Sequence, residues 1–486
     1  MPRLSTTEML CLLFGLWALL FGLAWFVGRS RRESAEGFMV AGRHVGLGFG
    51  SASLLAGWIW ALSLYAPAQA GYQYGIAGPV YYSAGGALML IVFMPFVRRI
   101  RELVPEGHTI AEYVGARFGR AAHLLTVLIT LVWTVVILYF NLSVVGYMVS
   151  SFSGVDYETG IVIVALIAVS YSLLSGLKAS ILTDAAQFGA ISLAGLILVP
   201  IVISRFGGPS ALVASLETLG DRGDPFSMRA FLQMGLPWML LGLVGAFSYQ
   251  SVWQKAWAIR ADSVSRAYLI AGAGWFPYSL AFGVFGVIAL AAGIPSAAGD
   301  GSDITPVVAA HYLTSGESVL FVVLVLAAAC STCDGALCAF SSILMTDVIR
   351  GYLAPTMAGR RLLRWGRLGI VFVGSLGALL AFQKESLLQL LFLLGAARVA
   401  LAVPLLTSLY WRRATQAGYV YGVLGGVICG VTAAATLHSV TPYHSLISLL
   451  LGLGVSGGIC ALFALTSRGP RFEFDTLRTR VRKVSE

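Results

Sequence analysis

The chain is 486 residues long, 58% hydrophobic and only 11% charged, whereas soluble domains carry about 25% charged residues. A soluble molecule this apolar could not cover its own surface, so the composition excludes soluble folds and requires an all-α polytopic membrane protein. The net charge of +10 does not point to a nucleic-acid partner, because Lys and Arg fall in short clusters between apolar runs, as in membrane-protein loops.

A bilayer core takes about 20 apolar residues per helix. By that measure about 13 transmembrane helices are expected, at 8–28, 46–74, 78–97, 120–152, 158–175, 178–204, 234–256, 264–293, 318–349, 363–382, 387–411, 415–437 and 443–466. The first run is too long for a signal-peptide core and lacks a cleavage site, so it reads as a retained span. Two shorter pieces, 109–119 with Glu112 and Arg117 among apolar residues, and 304–313, read as amphipathic helices that do not cross.

The basic residues orient these spans. With the amino terminus outside, the inside connections carry Arg29, Arg31, Arg32 and Arg43, then Arg98, Arg99, Arg101, Arg117 and Arg120, then Lys178, then Lys255, Arg260 and Arg266. Further inside residues are Arg350, Arg360, Arg361, Arg364 and Arg367, then Arg412 and Arg413, then Arg468, Arg471, Arg478, Arg480, Arg482 and Lys483. The outside set is Arg3, Arg205, Arg222, Arg229 and Lys384, and Arg398 falls within a span. The expected topology is therefore amino terminus outside and carboxyl terminus cytoplasmic.

Spans two to six (46–204) and seven to eleven (234–411) each form a five-helix unit, with a short amphipathic piece between the second and third members. Five is odd, so the second unit enters from the opposite side and the repeats are inverted. Inverted repeats with a broken first helix are a transporter design; Gly57 and the pair Gly242 and Gly245 lie near mid-span in those first helices. The remainder is an extra amino-terminal helix (8–28), two extra carboxyl-terminal helices (415–466) and a basic tail (467–486).

Charge inside a membrane is costly and marks function by default. Only Asp184, Asp334 and Arg398 remain once loops are removed, and a pair between the last two is one reading. Cys330, Cys333 and Cys338 lack the spacing and polar context of a zinc site. The Gly-rich stretch 452–458 follows no strand, so it is not a nucleotide loop. No catalytic set accompanies the charges, which argues against an enzyme. The ninth span runs Ser331-Thr332-Cys333-Asp334-Gly335 and then Ser341-Ser342. Hydroxyls with freed backbone carbonyls suit a hard cation, although Ser and Thr also promote helix packing.

The chain as a whole resembles the sodium:solute symporter family, which has the LeuT-type fold of two inverted five-helix repeats. The residues that carry the resemblance are Ala41-Gly42-Arg43, Gly176-Leu177-Lys178-Ala179 with Thr183-Asp184, Ser331-Thr332 with Ser341-Ser342 and Asp347, and Trp411-Arg412-Arg413-Ala414-Thr415 with Gly418. It implies a sodium ion held by the carbonyls of Ala56, Ile59 and Ala328 and the hydroxyls of Ser331 and Thr332, with Asp184 on the sodium path. A nearer likeness is to the family's urea-transporting branch. Trp58-Ile59-Trp60-Ala61, the segment from Tyr74 to Pro79 with Tyr81-Tyr82, Gly107-His108-Thr109, and Gln250-Ser251-Val252-Trp253-Gln254 carry it.

That likeness implies a solute site near Trp58, Trp60, Tyr82, Gln250, Trp253 and Gln254, where indole faces suit a flat neutral amide. Plant members of the branch use protons and lack a match to Thr332 and Asp184; both are present here, which favours sodium. The segment Tyr65-Ala66-Pro67-Ala68-Gln69 departs from the urea branch, and Ser63, Tyr82 and Gly242 replace polar residues of sugar carriers. Arg398 fits neither pattern and could hold a carboxylate. The expectation is a sodium-coupled importer of urea or a related amide in the plasma (inner) membrane, embedded in lipid and without a nucleic-acid partner. The alternatives are an importer of a small carboxylate held by Arg398, and proton-coupled or facilitative urea transport. A kinase-linked sensor is not expected, since only about 20 basic-rich residues follow Thr466.

Overall fold

The computed structural model describes residues 4–29, 34–383 and 394–481. The expected positions Arg3, Arg31, Arg32, Lys384, Arg482 and Lys483, and the first part of the eleventh span, lie outside them. Eleven described helices are long and apolar enough to cross a bilayer. A further crossing is made of two helices, Leu47–Trp58 and Leu62–Tyr74, bent by 54°. The shorter apolar helix Leu394–Tyr410 stands in the place of the eleventh expected span.

The Ser315–Leu353 helix runs through the centre, and every residue from Leu324 to Ile343 is buried. Its Ser331, Thr332, Asp334, Ser341 and Ser342 explain this placement, because polar groups within a bilayer face the bundle interior. It packs against Arg120–Phe152 and against Tyr157–Phe206. That last helix is two spans, Tyr157–Leu174 and Gly176–Phe206, joined where Gly176 adopts φ 53° and ψ −142°. Any Cβ there would come within 2.5 Å of the Phe38 carbonyl oxygen, so the turn between the spans requires glycine.

The two amphipathic pieces form the helices Ile110–Phe118 and Ile304–Tyr312, each following the second long helix of its set. Thr109 caps the first by accepting a bond from the Glu112 backbone, which offsets one of the unsatisfied N–H groups of a helix start. The tail returns to the bundle: the Phe472 amide bonds the Arg412 carbonyl, and the Arg117 guanidinium lies 3.6 Å from the Phe472 ring centroid.

Both first helices of the five-helix sets are broken, but neither breaks at the glycines singled out from the sequence. The first break falls at Ile59, Trp60 and Ala61. The second falls at Tyr249, whose φ −99° and ψ 97° are extended, between Met228–Ser248 and Gln250–Ala258. Gly242 and Gly245 lie earlier and serve close packing instead. A Cβ on Gly245 would come 2.3 Å from the Arg398 guanidinium.

Candidate cation and solute site

The first break leaves backbone groups without helical partners inside the bundle, where water cannot satisfy them. Asn141, buried on the Arg120–Phe152 helix, supplies one missing acceptor: its Oδ1 accepts from the Ala61 amide at 2.9 Å, and its own amide donates to the Ile137 carbonyl at 2.8 Å. Tertiary support thus holds the break open.

Beside the break, four helices converge on Asp184, which is fully buried. Its Oδ2 accepts from the Ser53 hydroxyl at 2.6 Å and from the Lys255 ammonium at 3.0 Å. Its Oδ1 accepts a short bond from the Ser331 hydroxyl. Lys255 also donates to the Ser53 carbonyl at 2.7 Å. This carboxylate therefore ties Leu47–Trp58, Gly176–Phe206, Gln250–Ala258 and Ser315–Leu353 together. The sequence assigned Lys255 to a connecting loop; it is instead 3% exposed and lies in the Gln250–Ala258 helix. The structure brings Ser331 and Asp184 into direct contact. Ala56, Ile59 and Ala328 are fully buried, and the Thr332 hydroxyl donates to the Ala328 carbonyl at 3.2 Å. The expected cation ligands are all oxygens, the set a small hard cation takes.

On the other side of the break lies a cavity of about 40 Å³, room for only a few waters. Its lining includes Trp58, Trp60, Trp133, Trp238, Tyr249, Trp275, Thr332 and Arg398. Arg398 lies 3.6 Å from the Trp133 ring centroid, and its Nε donates to the Ser248 hydroxyl at 3.0 Å. No carboxylate pairs with it among the described residues. The conceivable Asp334–Arg398 pair is absent: Asp334 accepts from Ser172 at 2.6 Å and from the Cys338 thiol at 3.6 Å. The buried indole nitrogens of Trp133 and Trp275 have no hydrogen-bond partner. The cavity lining therefore combines aromatic rings with one cation, and Thr332, an expected cation ligand, is among its residues.

Trp58, Trp60 and Arg398 thus stand together as expected solute contacts, whereas four others do not line this cavity. Tyr82 stacks on Trp238 with centroids 4.2 Å apart and supports the wall from behind. Gln250 has its amide occupied by the His108 carbonyl at 2.8 Å and the Ile110 amide at 3.0 Å. Gln254 donates to the Met39 carbonyl at 2.6 Å. Trp253 packs on Phe93 and donates to the Phe247 carbonyl at 3.1 Å. Gln250, the Trp253 indole and the Gln254 amide nitrogen are committed to backbone, while the Gln254 Oε1 has no hydrogen-bond partner. The sequence reading missed Trp133, Trp238, Trp275 and Lys255. The indoles carry no periodic signal within apolar runs, but Lys255 fell inside the drawn span 234–256 and could have been read as an intramembrane charge.

Outside the spans, a charge cluster closes the Arg-rich end. His108 lies 2.7 Å from Glu36 and 3.3 Å from Glu112, and Arg43 lies 2.7 Å from Glu36. Burial works against the charged His108, but Glu112 and Glu36 outweigh it and raise the imidazole to about 9. Burial likewise works against the Glu36 carboxylate, which His108 and Arg43 bring down to about 2.

The architecture has close counterparts among solved structures. A sodium-coupled sialic acid symporter, in a substrate-bound outward-open state, superposes with a TM-score of 0.76 over 94% of this chain and 98% of its own, at 16% identity. The nucleobase-cation-symport transporter Mhp1, in a closed conformation, gives 0.62 over 92% of this chain and 99% of its own at 16% identity. The fold is thus the LeuT type, with inverted five-helix repeats.

The particular family follows from the sequence. The model of the sodium:solute symporter family matches residues 38–426, and the chain belongs to that family. The urea-proton symporter DUR3 of Oryza sativa subsp. japonica is 27% identical over 88% of this chain. The chain spans 65% of that relative's length. The high-affinity proline transporter PutP of Bacillus subtilis is 27% identical over 84% of this chain and 88% of its own.

Proposed function

We propose that this protein is a sodium-driven symporter that imports a small, flat, polar solute, urea or a related amide first. The observation that carries the solute class is the cavity: about 40 Å³, lined by the indoles of Trp58, Trp60, Trp133, Trp238 and Trp275, with the Arg398 guanidinium to donate to a carbonyl oxygen. The similarity to a urea-proton symporter supports the amide reading.

Sodium is assigned to the carbonyls of Ala56, Ile59 and Ala328 and the hydroxyls of Ser331 and Thr332, with Asp184 on its path. Because Thr332 also lines the solute cavity, a cation there orders the break against which solute packs. Binding of either ligand then favours the other, which is the requirement for coupling. Rocking of the helix bundle exposes both to the opposite side. The plasma membrane, with the amino terminus outside, is the proposed setting. Thr332→Ala removes one cation oxygen and is expected to raise the sodium KM of urea uptake several-fold; an unchanged sodium KM contradicts the assignment.

A second reading rests on Arg398. A buried guanidinium without a carboxylate partner is the natural mate of a carboxylate solute. Labelled urea uptake into proteoliposomes, with and without an inward sodium gradient and with short-chain carboxylates as competitors, separates the two. Urea uptake untouched by carboxylates supports the amide; carboxylate uptake without urea uptake favours the second reading.

A further inference from the structure

Lys255 carries a charge for which the transport cycle above has no use. Its ammonium is enclosed, donates to the Ser53 carbonyl at 2.7 Å and pairs with Asp184 at 3.0 Å. The same Asp184 accepts from Ser331, one of the proposed sodium ligands. The space the ammonium fills exists because residue 57 is glycine: a Cβ there would lie 2.6 Å from the Lys255 nitrogen. Two separate features, a buried ion pair and a missing side chain, thus place a built-in cation beside the oxygens assigned to the transported one.

We propose that Lys255 is a tethered cation that shares Asp184 with the transported cation, the two holding the site by turns. The proposal rests on the sodium-site reading above and adds a competitor to it. With the ammonium in place, Asp184 is neutralised and the four converging helices are joined. A second cation would then set two positive charges against one carboxylate in a medium of low dielectric, which weakens its binding roughly tenfold or more. The four-carbon stem of lysine lets the ammonium withdraw without unfolding its helix. Gln250–Ala258 begins at the second break, so movement of that short helix relative to Leu47–Trp58 draws the ammonium off. The empty carrier keeps a neutral site through Lys255; the loaded carrier keeps it through the transported ion.

The test is sodium titration of the purified full-length protein without solute, read by thermal shift, for the wild type, Lys255→Gln and Lys255→Arg. Lys255→Gln is expected to bind sodium at least tenfold more tightly than the wild type, and Lys255→Arg, which keeps the charge, to stay near the wild type. Equal or weaker sodium binding by folded Lys255→Gln overturns the proposal, as does the absence of any sodium response in all three. If Lys255→Gln does not fold, Gly57→Ala decides, because its methyl group crowds the ammonium out of a chain that keeps Lys255. Tighter sodium binding there supports the proposal and unchanged binding overturns it. Tight sodium binding by Lys255→Gln combined with wild-type urea uptake that ignores a sodium gradient leaves this proposal standing and removes the sodium-driven reading.

Discussion

Two buried cations flank the first break, and they are held in opposite ways. Lys255 has a carboxylate at 3.0 Å and a carbonyl at 2.7 Å, so its charge is cancelled within the protein. Arg398 has a hydroxyl at 3.0 Å and an indole face at 3.6 Å, so its charge is only softened. Desolvating a charge costs several kcal/mol unless a partner offsets it. The contrast teaches a division of labour. On the proposed function, the neutralised cation belongs to the resting protein, and the unneutralised one is left to meet electron-rich oxygen from a solute.

The largest way to break this comparison is Asp184→Asn, which strands the Lys255 ammonium. Removal of one partner of a buried pair costs about 3–5 kcal/mol, so a steep fall in melting temperature and loss of gradient-driven uptake are expected. Adding Lys255→Met to that variant is expected to restore most of the melting temperature but not the uptake. A single variant as stable as the wild type would show that the pair is not structural. A smaller effect is expected at the other cation. Arg398→Gln has no ion pair to break, so stability holds, while the solute KM rises roughly ten- to a hundredfold for a lost charged hydrogen bond of about 1.5–3 kcal/mol. A large drop in melting temperature with unchanged KM would reverse the roles given to the two cations.

The smallest effect sharpens the comparison with a third kind of charge, the His108 cluster outside the spans. His108 is raised from 6.5 to about 9, so its stabilising contribution is complete below pH 6.5 and is lost as pH rises through about 9. Glu36 is lowered from 4.5 to about 2, so its contribution is present above pH 4.5 and is lost as pH falls through about 2. Melting temperature from this cluster therefore peaks between pH 4.5 and 6.5, and Glu36→Gln is expected to flatten both shoulders. A variant profile that parallels the wild type would deny the cluster this role.

Much of the fold was legible because hydropathy reports burial in lipid directly. The expected spans, including the broken pair at 46–74 and both amphipathic helices, have counterparts at nearly the drawn positions. The exact breaks were not legible, since they depend on tertiary partners. Asn141 supports the first from a distant helix, and the second falls at Tyr249 while Gly242 and Gly245 remain helical. The site was legible where a residue type has one dominant use in a membrane. Asp184 and Arg398 stood out as costly charges, and Trp58 and Trp60 as indoles next to a break. Gln250, Trp253 and Gln254 lie off this cavity, because an amide or indole satisfies backbone as readily as solute, and sequence does not show which. Lys255 was hidden by the assumption that a basic residue near a span end belongs to a loop.

The central claim, that an ion gradient drives accumulation of a small amide, is tested most directly by purified protein in proteoliposomes loaded with labelled urea at equal concentration on both sides. Imposing an inward sodium gradient is predicted to concentrate the label inside, and an ionophore that collapses the gradient is predicted to release it. Label that stays at equal concentration throughout would contradict the account and leave proton-coupled or facilitative urea transport in its place.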